Sequence, residues 1–470
     1  MLKMQCAKPI RKRLRKRNIK RSRVPLSKTS SVIFAPSADL TTEGKEEFAV
    51  LRGFHFKLDR AVMVPVQRHW ILSTLSVELG KDRIGARGYA LRDGMNAATY
   101  DVVIVGAGIV GAACADECAR RGMRVAVVDR EMVGSGATAA GMGHIVVMDD
   151  SEAQFALTRY SQQLWQALRR DLPEDVEYDQ CGTIWVAADE EEMAEVRRKH
   201  DYYAQRGVPT LVVDSEALQR LEPNLRDGMA GGLLVAEDAV LYPPCAARFL
   251  MERAQELGAQ LQLGAPVTQI GEGRVRLSDG VEIAGGMVVN AAGAWAPELT
   301  RGMEIKKRKG HLVITDRYPG FLRHQLVELG YLKSAHSVTS DSVAFNVQPR
   351  RTGQILIGSS RQYGAEHGEV DQAMLTRMLR RAQEYMPGLG QMSAVRTWTG
   401  FRAATPDKLP LIGPWPGDKS LFLATGHEGL GITTSLASAR ILVDQITGAK
   451  PEIPIEPYLP SRAVKEVAHA

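Results

Sequence analysis

Hydrophobic and polar positions follow no sustained period over residues 1–94 and fall into regular patterns from Tyr100 onward. Tyr100-Asp101-Val102-Val103-Ile104-Val105 is an almost unbroken β-branched run, the pattern of a buried parallel strand. Ile109 to Arg121 has helical spacing, and Gly122 is the kind of residue that stops a helix. Met123 to Val128 predicts a second strand, ending at Asp129. Farther on, Thr183 to Val186, Met287 to Asn290, Val343 to Val347 and Ile355 to Ile357 read as strands. Alternation between Lys309 and Gly358 makes that part antiparallel. Asp189 to Arg206 reads as a charged helix, and Val370 to Tyr385 as an amphipathic one.

The first strand and helix are joined by Gly106-Ala107-Gly108-Ile109-Val110-Gly111. Gly106 allows a tight turn, Gly108 lets backbone approach a pyrophosphate, and Gly111 lets the helix pack on the strand. The helix N-terminus offers free N–H groups and the positive end of its dipole. Asp129 is placed to accept hydrogen bonds from an adenosine ribose and disfavours a 2′-phosphate. Three glycines alone are a weak signal; strand, helix, second strand and terminal acid at this spacing specify a dinucleotide fold.

Charge divides the chain in the same place. The sequence holds 60 basic and 54 acidic residues, a formal charge of +6 that suggests an anionic partner. Residues 1–94 hold 21 of the basic and 8 of the acidic residues, leaving 39 and 46 for the remainder. The basic excess is therefore a property of the N-terminal segment, and the rest is mildly acidic. Residues 11–23 (RKRLRKRNIKRSR) are open to three readings: a nucleic-acid-binding tail, an organellar transit peptide, or sequence upstream of the true start. The last is preferred, because Met95 lies just before the first strong strand. Nucleic acid is accordingly not the expected partner.

Five scattered cysteines argue against a disulfide framework and for a reducing, cytoplasmic setting. Cys114 and Cys118 share a helix face and read as core thiols rather than metal ligands. No apolar run reaches the ~20 residues of a membrane helix, which leaves peripheral membrane contact open.

Four further segments complete the picture. Gly134 to Gly143 is a small-residue stretch containing Ala139-Ala140-Gly141-Met142, and Asn290-Ala291-Ala292-Gly293 follows a strand. Thr399-Gly400-Phe401-Arg402 runs on to Gly413, and Gly426-His427-Glu428-Gly429-Leu430-Gly431-Ile432-Thr433-Thr434 lies near the end. In these segments and their order, Tyr100 to Gly448 resembles the D-amino-acid oxidase (DAO) family of FAD-dependent oxidoreductases. The 139–142 and Pro349 to Gly353 segments look like its glycine oxidases. Gly358-Ser359-Ser360-Arg361 and the 426–434 segment look closer to its cyanide-synthase and D-hydroxyproline dehydrogenase branch.

The resemblance implies an α/β fold, a Rossmann-type FAD-binding domain interrupted by an α+β substrate domain with a mainly antiparallel sheet. The FAD domain is expected over 95–180, 236–308 and 396–450, and the substrate domain over 181–235 and 309–395. Residues 1–94 are expected to be a basic N-terminal extension, non-native or disordered, and 451–470 a C-terminal tail. FAD is expected to bind non-covalently through Gly106, Gly108, Ile109, Val110, Gly111, Asp129, Arg130, Ala139, Ala140, Gly141, Met142, Val267, Ala292, Gly293, Gly429, Leu430, Gly431 and Ile432.

The implied activity is oxidation of the C–N bond of a small amino or imino acid by hydride transfer to flavin N5. D-amino acids, and D-proline or D-hydroxyproline among them, lead; glycine oxidase or cyanide-synthase-like glycine dehydrogenase is the alternative. A flavin-binding subunit of a heteromeric complex is the alternative of another class. The electron acceptor (oxygen, quinone or partner subunit) and the oligomeric state, homo- or heteromeric, stay open. Arg402 is the expected carboxylate anchor, since a guanidinium grips a carboxylate with two parallel bonds. His427 either hydrogen-bonds the flavin or packs. Asn346 stands where glycine oxidase has a tyrosine and shares a strand face with Gln348. Tyr242 and Lys309 are weaker candidates.

Overall fold

The computed structural model describes residues 100–330 and 341–463, and the backbone of short strands between residues 40 and 85. Residues 1–90 and 91–470 form two compact units. Within the first, Leu40–Glu43, Glu46–Leu51 and Phe54–Lys57 make an antiparallel three-stranded sheet. Met63–Val66 pairs with His69–Leu72, and Ser76–Leu79 with Asp82–Gly85. These strands are four to six residues long, too short to impose a sustained period on the sequence. The basic run 11–23 and Cys6 lie outside the described residues.

The second unit opens with β1 (Tyr100–Val105), α1 (Ile109–Arg120), β2 (Val125–Val128) and α2 (Glu152–Leu168). Next come β3 (Thr183–Ala187), α3 (Glu190–Gln205), β4 (Thr210–Asp214), β5 (Gly231–Val235) and α4 (Pro243–Glu256). Then follow β6 (Gln260–Gln262), β7 (Val267–Gly271), β8 (Arg274–Leu277), β9 (Glu282–Asn290) and β10 (Lys306–Thr315). The chain continues through β11 (Gln325–Glu328), β12 (Ser342–Pro349), β13 (Ile355–Arg361) and α5 (Gln372–Tyr385). It closes with β14 (Ala394–Ala404), β15 (Leu411–Trp415), β16 (Asp418–Thr425) and α6 (Gly431–Thr447).

One sheet runs β6-β2-β1-β9-β16 with every neighbour parallel. The β7-β8 hairpin continues it along the first half of β9, and β15 pairs antiparallel with β16. This is a Rossmann-type sheet, with β1 central and its valines fully buried. Small residues along α1 (Ala112, Ala113, Cys114, Ala115, Cys118) are buried and let it approach its neighbours closely. Burial pushes the Cys118 thiol up to about 12, as befits an inert core thiol.

The second sheet has the order β4-β5-β3-β11-β12-β13-β10-β14 and is antiparallel except for β3 with β11. Its helix α5 starts at Asp371, whose side chain accepts from Ala373 and Met374 N–H, and α3 is capped likewise by Asp189. Phe345 of β12 stacks on Tyr385 of α5 with ring centroids 4.5 Å apart. Ile184, Leu326 and Val347 join that core, so the residues alternating with them face the other side of the sheet.

Several expected boundaries shift. The 308/309 and 395/396 borders fall inside β10 and β14, which pair over their whole length, so Arg308 and Arg402 both belong to the second sheet. Part of the expected tail is core. Tyr458 is buried and donates to the Ala153 carbonyl at 2.6 Å, while Arg462 pairs with Asp407 at 2.6 Å. Ile453 and Ile455 pack on the same core, which holds this proline-rich segment and its two short 3-10 turns, Glu456–Tyr458 and Pro460–Ala463, in place. Among the described residues, no helix is long and apolar enough to cross a membrane.

Candidate active site

A cleft of about 410 Å³ runs from the β1–α1 turn to the exposed-from-core face of the second sheet. At one end, Gly106 has φ +112°, and a Cβ there would lie 2.5 Å from the Ala291 carbonyl oxygen. Gly108 faces Thr138, whose Oγ1 accepts the Ile109 N–H at 2.9 Å. Helix α1 has no side-chain cap at Gly108 and no acid in its first turn, so its positive end faces the cleft. Asp129 reaches under the turn: its Oδ2 accepts from Ala107 N at 2.6 Å and its Oδ1 from Glu131 N at 2.7 Å. The Arg130 guanidinium lies 4.3 Å above the Trp295 ring, and Trp295 meets Phe401 edge-on. Ile109, Val110, Val267, Ala292 and Gly293 line the same part of the cleft.

Two of the expected cofactor residues do not line it. Gly111 packs instead, since a Cβ there would sit 1.9 Å from the Gly106 carbonyl oxygen. Ala139 is exposed, because the turn from Gly136 to Gly141 rotates it outward, whereas Ala140, Gly141 and Met142 line the cleft. Gly141 fits against Ile432 and Gly400 against Ala140; a Cβ at either glycine would come within 2.5 and 2.3 Å of those side chains.

At the other end, Arg402 projects from β14 opposite Arg308 of β10. Its guanidinium lies over Gly310, where a Cβ would be 2.5 Å away, and its Nη1 donates to the Ser360 carbonyl at 2.9 Å. Beside it begins α6, again without a side-chain cap or a first-turn acid. Gly429, Leu430, Gly431 and Ile432 form this second helix entrance on the cleft wall. The turn is held by an ion pair between Glu428 and the buried Arg308.

His427 lines the cleft, but its Nε2 lies 2.9 Å from Ser438 Oγ, and its backbone bridges to Ala404. Burial pulls its imidazole down to about 3, so it is neutral. Of the two readings for His427, packing has the observed partner. Asn346 is buried on the cleft face of β12. Gln348 stands off the cleft and donates from Nε2 to the Met142 carbonyl at 2.6 Å, tying the small-residue loop to the sheet. Lys309 is buried with its backbone paired to Gln362, and Tyr242 lies under the Arg350 guanidinium; neither lines the cleft.

Sequence reasoning missed Thr138, His144, Trp185, Gln325 and Arg361, which all line the cleft. Burial pulls His144 down to about 4, Arg402 adds to the shift, and Asn346 opposes it. Trp185 and Gln325 come from strands whose adjacency is a matter of sheet order, which no local pattern encodes. Thr138 carried a signal: it is a β-branched hydroxyl inside the small-residue stretch.

These residues fit a flavin adenine dinucleotide. Glycines 106, 108 and 141 let the turn and the loop pack closely against Ala291, Thr138 and Ile432 around the cleft, and two helix N-termini that lack a cap from their own N-cap residue face it, suited to a diphosphate and to an electron-rich ring.

Comparison with known proteins agrees. The family model DAO, FAD dependent oxidoreductase, matches residues 101–445. Glycine oxidase of Pseudomonas aeruginosa is 32% identical, with 77% of this chain and 98% of the relative covered. The hydrogen cyanide synthase subunit HcnC of the same organism is 29% identical over 79% and 98%. The crystal structure of L-proline dehydrogenase from P. horikoshii superposes with a TM-score of 0.69 at 25% identity, covering 77% of this chain and 97% of that one.

Proposed function

This chain belongs to the DAO family of FAD-dependent oxidoreductases and is an amino-acid-oxidising flavoenzyme; from that premise we propose that it oxidises the C–N bond of a small amino or cyclic imino acid held by Arg402. D-configured cyclic donors lead the substrate classes, on the strength of the 358–361 and 426–434 segments.

FAD, when bound, supplies the two-electron oxidant for the C–N bond. The Gly106–Gly111 turn, Asp129 and the Ala140–Met142 loop would hold its nucleotide half, and the α6 entrance its ring. What the chain itself does is bind and orient. One observation carries the reading: Arg402 is fixed beside the α6 entrance by the β10–β14 ladder, by the Ser360 carbonyl and by the space above Gly310. A guanidinium so fixed receives a carboxylate in a single orientation, which directs the adjacent carbon. Neutral His144 and His427 add no positive charge to those of Arg402 and Arg361 on the cleft wall. With the amine entering neutral, no side-chain base is needed, and the cleft wall serves to exclude water.

Arg402→Ala is expected to lower kcat/KM roughly 100-fold or more, mainly through KM, because a buried charge-assisted pair is lost. Flavin content should stay the same. Unchanged kinetics would remove Arg402 from the site. One relative is named as a subunit of a synthase, which supports a reading in which partner chains take up the electrons. Comparing turnover in air with turnover on an artificial acceptor separates that arrangement from an oxidase.

A further inference from the structure

Resting on the reading that this cleft oxidises a small amino or imino acid, we propose that Asn346, Gln325 and Trp185 select a donor whose side chain or ring carries a neutral hydrogen-bonding group, a hydroxyl above all. The three residues sit on neighbouring strands of one sheet face. Trp185 stands beside Val327 and Val327 beside Asn346, while Gln325 is the next residue of β11 on that face. All three line the cleft and are 3, 2 and 6% exposed for Trp185, Gln325 and Asn346. Trp185 Nε1 and Gln325 Oε1 are buried without a hydrogen-bond partner among the described residues, while the Asn346 amide has the His144 ring as its neighbour on the same cleft wall.

A buried polar atom left unpaired is costly, and proteins avoid it. Two on one patch of a ligand cleft, with the Asn346 amide beside them, point to a ligand that pairs with them. The surroundings restrict its charge: Val146, Met148 and Val327 form the apolar part of this wall. A carboxylate or ammonium there would be desolvated among hydrocarbon. A hydroxyl both donates and accepts, so it suits amide oxygens as well as the indole N–H. Glycine, by contrast, leaves both of the unpaired atoms without a partner.

The test uses the flavin-loaded full chain and matched donor pairs: proline with 4-hydroxyproline in each enantiomer and ring configuration, and alanine with serine in each enantiomer. Sites built to pair with a hydroxyl discriminate strongly against analogues that lack it, so kcat/KM should favour the hydroxylated member of at least one pair on the order of 100-fold. Asn346→Leu and Gln325→Met, at independent positions, should each cut that preference about tenfold, with the flavin spectrum reporting an intact fold. Equal kcat/KM within every pair, with the flavin reduced by both members, overturns this proposal and leaves amino-acid oxidation standing. So does a preference that survives both substitutions. Reduction by no donor in the panel or by glycine overturns the reading beneath it.

Discussion

Burial lifts the Asp238 carboxyl from its ordinary 3.8 to about 7, although Thr183, Val147, Lys199 and Gln162 all pull it down. Its Oδ1 accepts from Gln162 Nε2 at 2.8 Å and from Val147 N at 3.2 Å, which ties the cleft segment 146–148 to α2. A carboxyl raised by folding contributes most stability while it is protonated. That contribution is full below about 3.8 and is lost as pH rises through about 7. Asp238→Asn keeps an acceptor and cannot ionise, so it should gain thermal stability relative to the unsubstituted protein between pH 5 and pH 8. A difference in Tm that does not change with pH would contradict this. Residues of this kind were the least legible in the sequence. Asp129 and Arg402 stood in motifs, whereas Asp238, His144 and Gln325 owe their character to burial by distant strands.

Helix entrances organise the cleft, and Thr138 binds one of them to the loop that crosses it. Thr138→Val removes the acceptor for Ile109 N–H while keeping the side-chain shape. Such a loss costs about 1 kcal/mol, so a lower Tm and weaker flavin retention are expected; unaltered values would show that the hydroxyl does not order the turn. Gly111→Ala is harsher, because the added Cβ would meet the Gly106 carbonyl at 1.9 Å. It should yield protein that does not retain flavin, and a flavin-loaded, fully stable variant would contradict the packing role of Gly111. Elements with capping residues were readable almost to the residue: Asp189 before α3 and Asp371 before α5 mark helix starts chemically. Strand order was not readable. β14 looked like part of the nucleotide domain because its Gly400-Phe401-Arg402 motif dominates its sequence, yet it closes the second sheet.

Across the whole molecule, charge and fold divide at nearly the same point. The basic excess lies in residues 1–94, and the compact flavoenzyme unit begins at Leu91. A chain beginning at Leu91 should keep its flavin and its turnover; loss of either would assign residues 1–90 a part in the site. The class of fold was legible because a continuous β-branched strand, a glycine turn and a terminal acid occur at fixed spacing. The ending at 451–463 was not, since Tyr458 is anchored by a single long-range hydrogen bond and by packing. The central claim, that one cleft holds FAD and an amino or imino acid together, is tested most directly by anaerobic titration of the purified protein with the donor panel. The account predicts a yellow protein whose flavin absorbance is bleached by a small amino or imino acid, with far higher donor concentrations needed in Arg402→Ala. A colourless protein that takes up no FAD, or a flavin that no donor bleaches, would contradict it.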